Sequence, residues 1–87
     1  MRPYVIVTLR SAAFSGTYDL EIPTDTAAGR LVKDIAETIS SYRGEPSFPA
    51  ASYGLYCERL GRMIHKTETF AEAGIWSGDI IEMKGKD

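Results

Sequence analysis

The side chains best suited to nucleophilic chemistry are Cys57 and His65, the only cysteine and the only histidine in the chain. A catalytic cysteine needs a nearby base and a lowered thiol pKa, and a histidine across a turn could supply that base. Cys57, however, alternates in phase with Tyr53 and Leu55 along a predicted strand, and a buried cysteine behaves as a small hydrophobic residue. We therefore expect Cys57 to pack in the core.

A pair of carboxylates could serve hydrolysis, and Asp19 and Glu21 lie two residues apart. Such a pair needs a cleft that gives the two groups different environments, and a domain with one main helix has little room for one. We interpret these acids as part of the solvent-exposed face of a strand, where their charge discourages pairing with strands of other chains. One cysteine and one histidine cannot complete a nitrogen and sulfur metal site. We expect no enzymatic activity, no catalytic residue, no metal and no cofactor.

Length and composition predict one small globular domain, 1–87. The formal net charge is −2, and no run of basic residues occurs, which argues against nucleic acid as a partner. A single cysteine excludes an internal disulfide and fits a reducing compartment. No segment has the pattern of a signal peptide or of a membrane span. We expect a cytoplasmic protein without direct membrane insertion.

Hydrophobic periodicity predicts a hairpin at the start of the chain. Residues Tyr4–Arg10 are mostly β-branched or aromatic, and both faces are fairly apolar, which favours a central strand. Thr17–Ile22 alternates between apolar and polar residues, as a half-buried strand does. Pro23 ends this strand because it lacks a backbone N–H for the sheet.

One long helix follows the hairpin. We expect its N-cap to be one of the three residues Thr24–Thr26, because their side chains can accept hydrogen bonds from the first turn. Tyr42 is expected to extend the apolar stripe by one turn, and Gly44 is expected at the C-cap. Gly29 is expected to weaken the first turn by up to about 1 kcal/mol relative to alanine. The stripe itself consists of Leu31, Val32, Ile35, Ala36 and Ile39.

The second half of the chain is predicted to add three strands and one helical turn. The turn is expected to bring Phe70 and Ile75 into the core, and the last strand is expected to point Ile81 and Met83 inward. The predicted segments are a strand over Ser52–Glu58, a short strand over Met63–His65, the helical turn over Thr69–Ile75 and a final strand over Asp79–Lys84.

This order of elements resembles the β-grasp fold of ubiquitin-like proteins, an α+β fold with a mixed four- to five-stranded sheet packed on one α-helix. The resemblance is carried by the segment TYDLEIPTDTAAGRLVKDI and by TFAEAGIWSGDIIEM. Within that superfamily the chain is similar to the small bacterial proteins of the YukD/EsaB type, which accompany type VII secretion machinery. It is also similar to the cytosolic ubiquitin-like domain of a membrane component of the actinobacterial machinery. Both resemblances imply a protein that binds a secretion apparatus.

The residues Gly85, Lys86 and Asp87 bear on conjugation. Ubiquitin and sulfur carriers need an exposed Gly-Gly end that an activating enzyme can thread into a narrow site. Here a single glycine is followed by two charged residues. We expect a protein that is not attached to its targets, and we expect no adenylate or thioester.

The sheet face opposite the helix is the candidate binding surface. In ubiquitin-like proteins this face commonly docks partners, and Tyr56 matches the position at its centre. Aromatic and aliphatic anchors with a charged rim are typical of interfaces, although Tyr4 and Ile6 could merely stiffen a central strand. The predicted anchors are Tyr4, Ile6, Tyr56 and Ile80, with Arg10, Glu82 and Lys84 as the rim.

Trp76 and Phe14 are further candidates. Trp76 follows Ile75 in a turn, where it either binds a partner or covers the edge of the core. Phe14 lies in a hairpin loop of small residues, where it is either a third anchor or folds back onto the domain.

The favoured hypothesis is a non-enzymatic module that binds a cytosolic part of a secretion ATPase or of a membrane subunit. Three alternatives remain: a self-associating module that forms a homodimer, a ubiquitin-like domain of a larger membrane secretion subunit, and a carrier or modifier passed between enzymes.

Overall fold

In the part of the chain that the structure describes, five strands and two helices follow one another in the order that the sequence predicts. A computed structural model of the chain describes residues 3–11, 16–43 and 52–85. The strands are β1 (Tyr4–Arg10), β2 (Tyr18–Pro23), β3 (Tyr53–Cys57), β4 (Arg62–Ile64) and β5 (Ile80–Gly85). The helices are α1 (Ala28–Arg43) and the single turn α2 (Phe70–Ala73).

The strands form one mixed sheet in the order β2-β1-β5-β3-β4. β1 runs parallel to β5, with Thr8 opposite Ile80, and the other pairs are antiparallel. The predicted interior position of β1 is confirmed, since it pairs on both sides, but the middle strand is β5. The two ends of the described chain therefore meet in the centre of the sheet.

One face of the sheet packs on α1 and forms the core. The apolar stripe of the helix is buried as predicted, and so are Phe70 and Ile75 beside α2. Burial of each large apolar side chain contributes about 1.5–3 kcal/mol to folding. The strands supply Val7, Leu9, Ile22, Leu55, Cys57, Ile64, Ile81 and Met83 to this core.

The first turn of α1 is capped by a distant loop, which corrects the predicted N-cap at Thr24–Thr26. The helix begins at Ala28, and the carbonyl of Ala27 accepts the first helical hydrogen bonds, from Arg30 and Leu31. The amide of Ala28 donates to the Glu68 carbonyl at 2.9 Å, and the amide of Gly29 donates to Lys66 at 2.9 Å. Backbone carbonyls thus satisfy two donors that side chains often cap.

Gly29 is needed for this contact rather than only weakening the helix. A Cβ atom on Gly29 would lie 3.2 Å from the Lys66 carbonyl oxygen, tighter than an ordinary contact. Because that oxygen also accepts the Gly29 hydrogen bond, it cannot move away without lengthening the bond.

The capping loop is itself fixed by Glu68. The Arg62 guanidinium donates two hydrogen bonds to the Glu68 carboxylate, at 3.0 and 2.9 Å, and the amide of His65 donates a third at 3.0 Å. The Arg62 hydrogen bonds, with the His65 amide second, lower the pKa of Glu68 from 4.5 to about 2.

Tyr42 does not extend the buried stripe, which corrects that prediction. Its side chain is 82% exposed and meets the ring of Tyr18 edge to face, with centroids 6.1 Å apart. The buried stripe therefore ends at Ile39 and Ser40. The predicted C-cap, Gly44, lies outside the described residues.

Candidate functional site

The face of the sheet opposite α1, which we call the outer face, carries both apolar and charged side chains. Strand alternation fixes its members, since the neighbours of each inward residue point outward. Its larger apolar residues are Tyr4, Ile6, Tyr56, Met63 and Ile80. Its charged residues are Arg10, Asp19, Glu21, Glu58, Glu82 and Lys84.

Three of the predicted anchors are well exposed on neighbouring strands. Tyr4 is 47% exposed, Ile6 is 55% exposed and Ile80 is 38% exposed. Ile80 lies opposite Thr8 in the parallel pair, so Ile6 is its diagonal neighbour on the same face. Large apolar side chains left in water on a rigid sheet are the kind of surface that partners cover.

Tyr56 lies nearer the other end of the outer face and is half-buried. The ammonium group of Lys84 lies 4.4 Å from the centroid of its ring, a cation–π contact. Glu82 is its direct neighbour on β5, and Met63 is its neighbour on β4. The Lys84 side chain therefore lies over part of the Tyr56 ring.

Arg10 lies between two acids in the same region. Its guanidinium pairs with the carboxylate of Glu58 and lies 3.7 Å from that of Glu82. The predicted rim residues thus interact with one another, and one cation serves two carboxylates.

The side chain of Trp76 is 65% exposed, so it does not cover the edge of the core. The guanidinium of Arg59 lies 3.9 Å from the centroid of its ring. The same guanidinium donates to both carboxylate oxygens of Asp79, at 2.8 and 2.9 Å, and to the Gly74 carbonyl at 2.7 Å. The turn is thereby tied to the end of β3.

Asp79 joins these groups beneath the surface. Its side chain is buried, and it also accepts the amide hydrogen of Trp76 at 2.8 Å. The Arg59 hydrogen bonds lower the pKa of Asp79, against the opposing effect of its burial. The same bonds raise the pKa of Arg59. Both groups therefore stay charged and paired.

The Trp76 turn is fastened to β1. The amide of Ile6 donates to the Ser77 hydroxyl at 3.2 Å, and the amide of Gly78 donates to the Ile6 carbonyl at 2.8 Å. The amide of Thr8 donates to the Asp79 carbonyl at 3.0 Å. These hydrogen bonds hold the turn that carries Trp76 beside the segment of β1 that carries Ile6, although the two residues are 70 positions apart in the sequence.

The residues considered for chemistry are not brought together. Cys57 is fully buried and lies opposite Arg62, whereas exposed His65 follows β4 and shares a 2.9 Å hydrogen bond with the Thr67 hydroxyl. Asp19 and Glu21 lie on the edge strand β2, and Asp19 accepts from the Thr8 hydroxyl at 2.9 Å. Among the described residues, no group of three or more histidines, cysteines and acids could hold a metal.

Two contributors were missed by the sequence reasoning. Met63 extends the outer face beside Tyr56, and the short β3–β4 hairpin was the signal that could have placed it there. Arg59 follows β3 directly and carried no signal, because its partners Asp79 and Gly74 are distant in sequence. Phe14 lies outside the described residues.

A separate apolar groove, of about 400 Å³, opens between the start of α1 and the β3–β4 hairpin. Val32, Tyr53 and Ile64 line it, with Lys66 at one side. No helix in the described part of the chain is long and apolar enough to cross a membrane.

Solved structures of ubiquitin-like proteins share this architecture. The ubiquitin of Caldiarchaeum subterraneum is 17% identical, with a TM-score of 0.69, over 98% of this chain and 96% of that one. A ubiquitin-like domain of an Arabidopsis thaliana protein is 18% identical, with a TM-score of 0.72, over 97% of this chain and 79% of that one. The UBL domain of Plasmodium falciparum Dsk2 is 14% identical, with a TM-score of 0.73, over 97% and 100%. No curated protein sequence matches the chain.

The sheet, the helix across it and these likenesses define a ubiquitin-like β-grasp protein, which confirms the predicted fold. Residues 4–83 match the family described as protein YukD of the WXG100 protein secretion system (Wss). The chain belongs to the YukD family, and it is a secretion-associated ubiquitin-like module.

Proposed function

We propose that this protein is a non-enzymatic binding module that docks through its outer face onto a protein of a WXG100-type secretion system. The partner is a cytosolic part of the secretion ATPase or of a membrane-embedded subunit, and the module works in the cytoplasm. Membership of the YukD family supports the setting. The observation that carries the docking surface is the set of exposed apolar side chains, Tyr4, Ile6 and Ile80, on one rigid sheet face.

The physical argument is one of pre-organisation. Interfaces draw most of their affinity from a few aromatic or aliphatic anchors that become desolvated, surrounded by polar contacts. Anchors on strands are already fixed before binding, so little conformational entropy is lost on association. Trp76 is a further anchor, because its turn is tied to β1 and to β3.

We also propose that binding is non-covalent. Gly85 lies in β5, opposite Tyr53, rather than in a separate flexible tail. A glycine held in a sheet is poorly placed to enter the narrow site of an activating enzyme. Intact mass of the protein from its native cell tests this point: an ATP-dependent adduct at a carboxyl terminus would contradict it.

The docking surface is tested by affinity capture from the native host, with quantitative mass spectrometry of what is bound. Ile6→Arg and Tyr56→Arg are expected to lose the secretion components that the wild-type protein captures, because each variant places a charge among the anchors. Ser41→Arg, at an exposed position of α1, is the matched control and is expected to retain them. Retention by all three variants, each with an unchanged thermal melt, contradicts docking through the outer face.

Self-association is the second candidate, since the same exposed apolar face can pair with a second copy. Analytical ultracentrifugation at micromolar concentration distinguishes self-association from docking on a different protein. If the protein is a homodimer, Ile6→Arg is expected to shift it to the monomer; if it is a monomer, its sedimentation is expected to be unchanged by this substitution.

A further inference from the structure

We propose that the segment bound at the outer face carries an apolar ridge flanked by lysine or arginine. This inference rests on the proposed function and names the chemistry of its partner. It depends on the charges around Ile6 and Ile80, which are acidic on both sides.

The first acidic side is the edge strand β2. Glu21 lies directly opposite Ile6, and Asp19 lies directly opposite Thr8, in the antiparallel β1–β2 pair. Both carboxylates are exposed, and neither makes an ion pair with a lysine or arginine of the described residues. Two acids, Asp19 and Glu21, therefore line one flank of the apolar residues, and within the described part of the chain no cation pairs with them.

The second acidic side lies beyond Ile80. The amide of Glu58 donates to the Ile80 carbonyl at 3.2 Å, so Glu58 is the neighbour of Ile80 on the β3 side. Glu58 and Glu82 share the single cation of Arg10. Among the residues that the structure describes, the outer face thus presents four carboxylates against two cations, Arg10 and Lys84.

The positive charge nearest Trp76 is neutralised. Arg59 is held by both oxygens of Asp79, which is buried. Beside Trp76, a basic partner therefore meets a cation, Arg59, whose charge is already paired. An acidic partner, a nucleic acid or an anionic membrane would instead place its charge against Asp19, Glu21 and Glu58, where like charges repel.

Complementary charge at the edge of an apolar contact raises the association rate and fixes the orientation of the partner. With one acidic flank on β2 and another on β3, the segment that fits has its apolar residues in the middle and basic residues on both sides. An amphipathic helix with a leucine stripe and lysines elsewhere has this pattern.

The test is an NMR titration of the whole protein with two synthetic helical peptides. Both have the same leucine stripe, one with lysine and the other with glutamate at the remaining positions. The lysine peptide is expected to shift the amide signals of Ile6, Thr8 and Ile80 and the indole signal of Trp76. It is also expected to bind at least about tenfold more tightly than the glutamate peptide. Equal affinity for the two peptides, absence of binding, or shifts confined to the groove beside Val32 and Ile64 would overturn the proposal.

A charge reversal with a matched control separates a specific flank from overall charge. Glu21→Lys is expected to weaken binding of the lysine peptide about tenfold at low salt, since an attractive charge next to Ile6 becomes a repulsive one. Glu37→Lys, on the exposed side of α1, changes the net charge equally and is expected to leave the affinity within about twofold. Equal weakening by both variants contradicts a local acidic flank.

Failure of this inference is distinguishable from failure of the proposed function. Suppose that the wild-type protein captures secretion components, that Ile6→Arg loses them and that Glu21→Lys retains them. Docking through the outer face then holds, but the proposal that the bound segment carries basic residues is wrong. If Ile6→Arg retains the secretion components, the docking surface itself is wrong.

Discussion

Single residues decide how the Trp76 side chain is presented. The indole is in water, yet its amide, the stacked Arg59 and the buried Asp79 form one connected set of hydrogen bonds. Asp79 is the member on which the others depend, because it accepts from both Arg59 and the Trp76 amide. A buried polar residue thus positions the exposed side chain of Trp76.

Replacing Asp79 is predicted to loosen that turn. Asp79→Ala leaves the Arg59 guanidinium and the Trp76 amide without their acceptor, and we expect a loss of about 2 kcal/mol in the free energy of unfolding. Asp79→Asn keeps the shape and one acceptor oxygen, so its loss is expected to be smaller. Urea denaturation followed by the fluorescence of Trp76, the only tryptophan, measures both; equal stability of the alanine variant and the wild type would contradict this role.

Glu68 gives a pH dependence with a definite sign. Its pKa falls from 4.5 to about 2 on folding, so its ion pair stabilises the fold fully above pH 4.5 and is lost as the pH falls toward 2. Glu68→Gln is expected to have a lower Tm than the wild type at neutral pH, and the difference is expected to vanish in acid. Thermal melts across this range test it, and a difference that stays constant with pH would refute it.

At the scale of the elements, α1 depends on a loop that is distant in the sequence. The helix has no acidic residue in its first turn, and its leading amides donate to the carbonyls of Lys66 and Glu68. The loop is in turn held by the Arg62–Glu68 pair. The start of α1 and the loop after β4 therefore stabilise each other.

Gly29→Ala tests this coupling. Alanine favours a helix by up to about 1 kcal/mol over glycine, but the new Cβ atom would crowd the Lys66 carbonyl at 3.2 Å. Since such overpacking costs about 1–3 kcal/mol, we expect the variant to be less stable by about 1 kcal/mol. Ser41→Ala, at an exposed position of the same helix, is the control and is expected to be unchanged or slightly stabilised. If Gly29→Ala were more stable than the wild type, the loop after β4 would be able to move away from the new Cβ atom, which would contradict the coupling.

Local patterns predicted the elements but not their tertiary caps. The alternation in β2 and the stripe from Leu31 to Ile39 are properties of neighbouring residues, and they placed the strands and the helix correctly. The N-cap of α1 depends on carbonyls almost 40 positions away, so no local rule could find it. The same reason explains why the outward position of Ile6 was predicted from alternation, whereas the position of Arg59 was not.

At the scale of the whole molecule, the two faces of the sheet differ in burial, and the proposed function assigns recognition to the outer one. The inner face buries its apolar side chains against α1, and the outer face leaves Ile6 and Tyr4 in water. Substitutions on the two faces should therefore have different effects.

Leu9→Ala and Ile6→Arg make that comparison, because both residues lie on β1 but on opposite faces of the sheet. Leu9 is fully buried, and its truncation is expected to cost about 2–5 kcal/mol. Ile6→Arg is at an exposed site, so its free energy of unfolding is expected to stay within about 0.5 kcal/mol of the wild type. Urea denaturation measures both; a large loss from Ile6→Arg would show that the outer face is part of the stable core.

The central position of β5 has a consequence for biosynthesis. The β1–β2 hairpin and the β3–β4 hairpin are each local, but they share no hydrogen-bonded edge until β5 enters between β1 and β3. A nascent chain that is still on the ribosome and lacks residues 80–85 would have two unjoined ribbons with exposed edges. Completion of the sheet must therefore wait for the translation of these residues, and until then the unpaired strand edges are open to pairing with other chains.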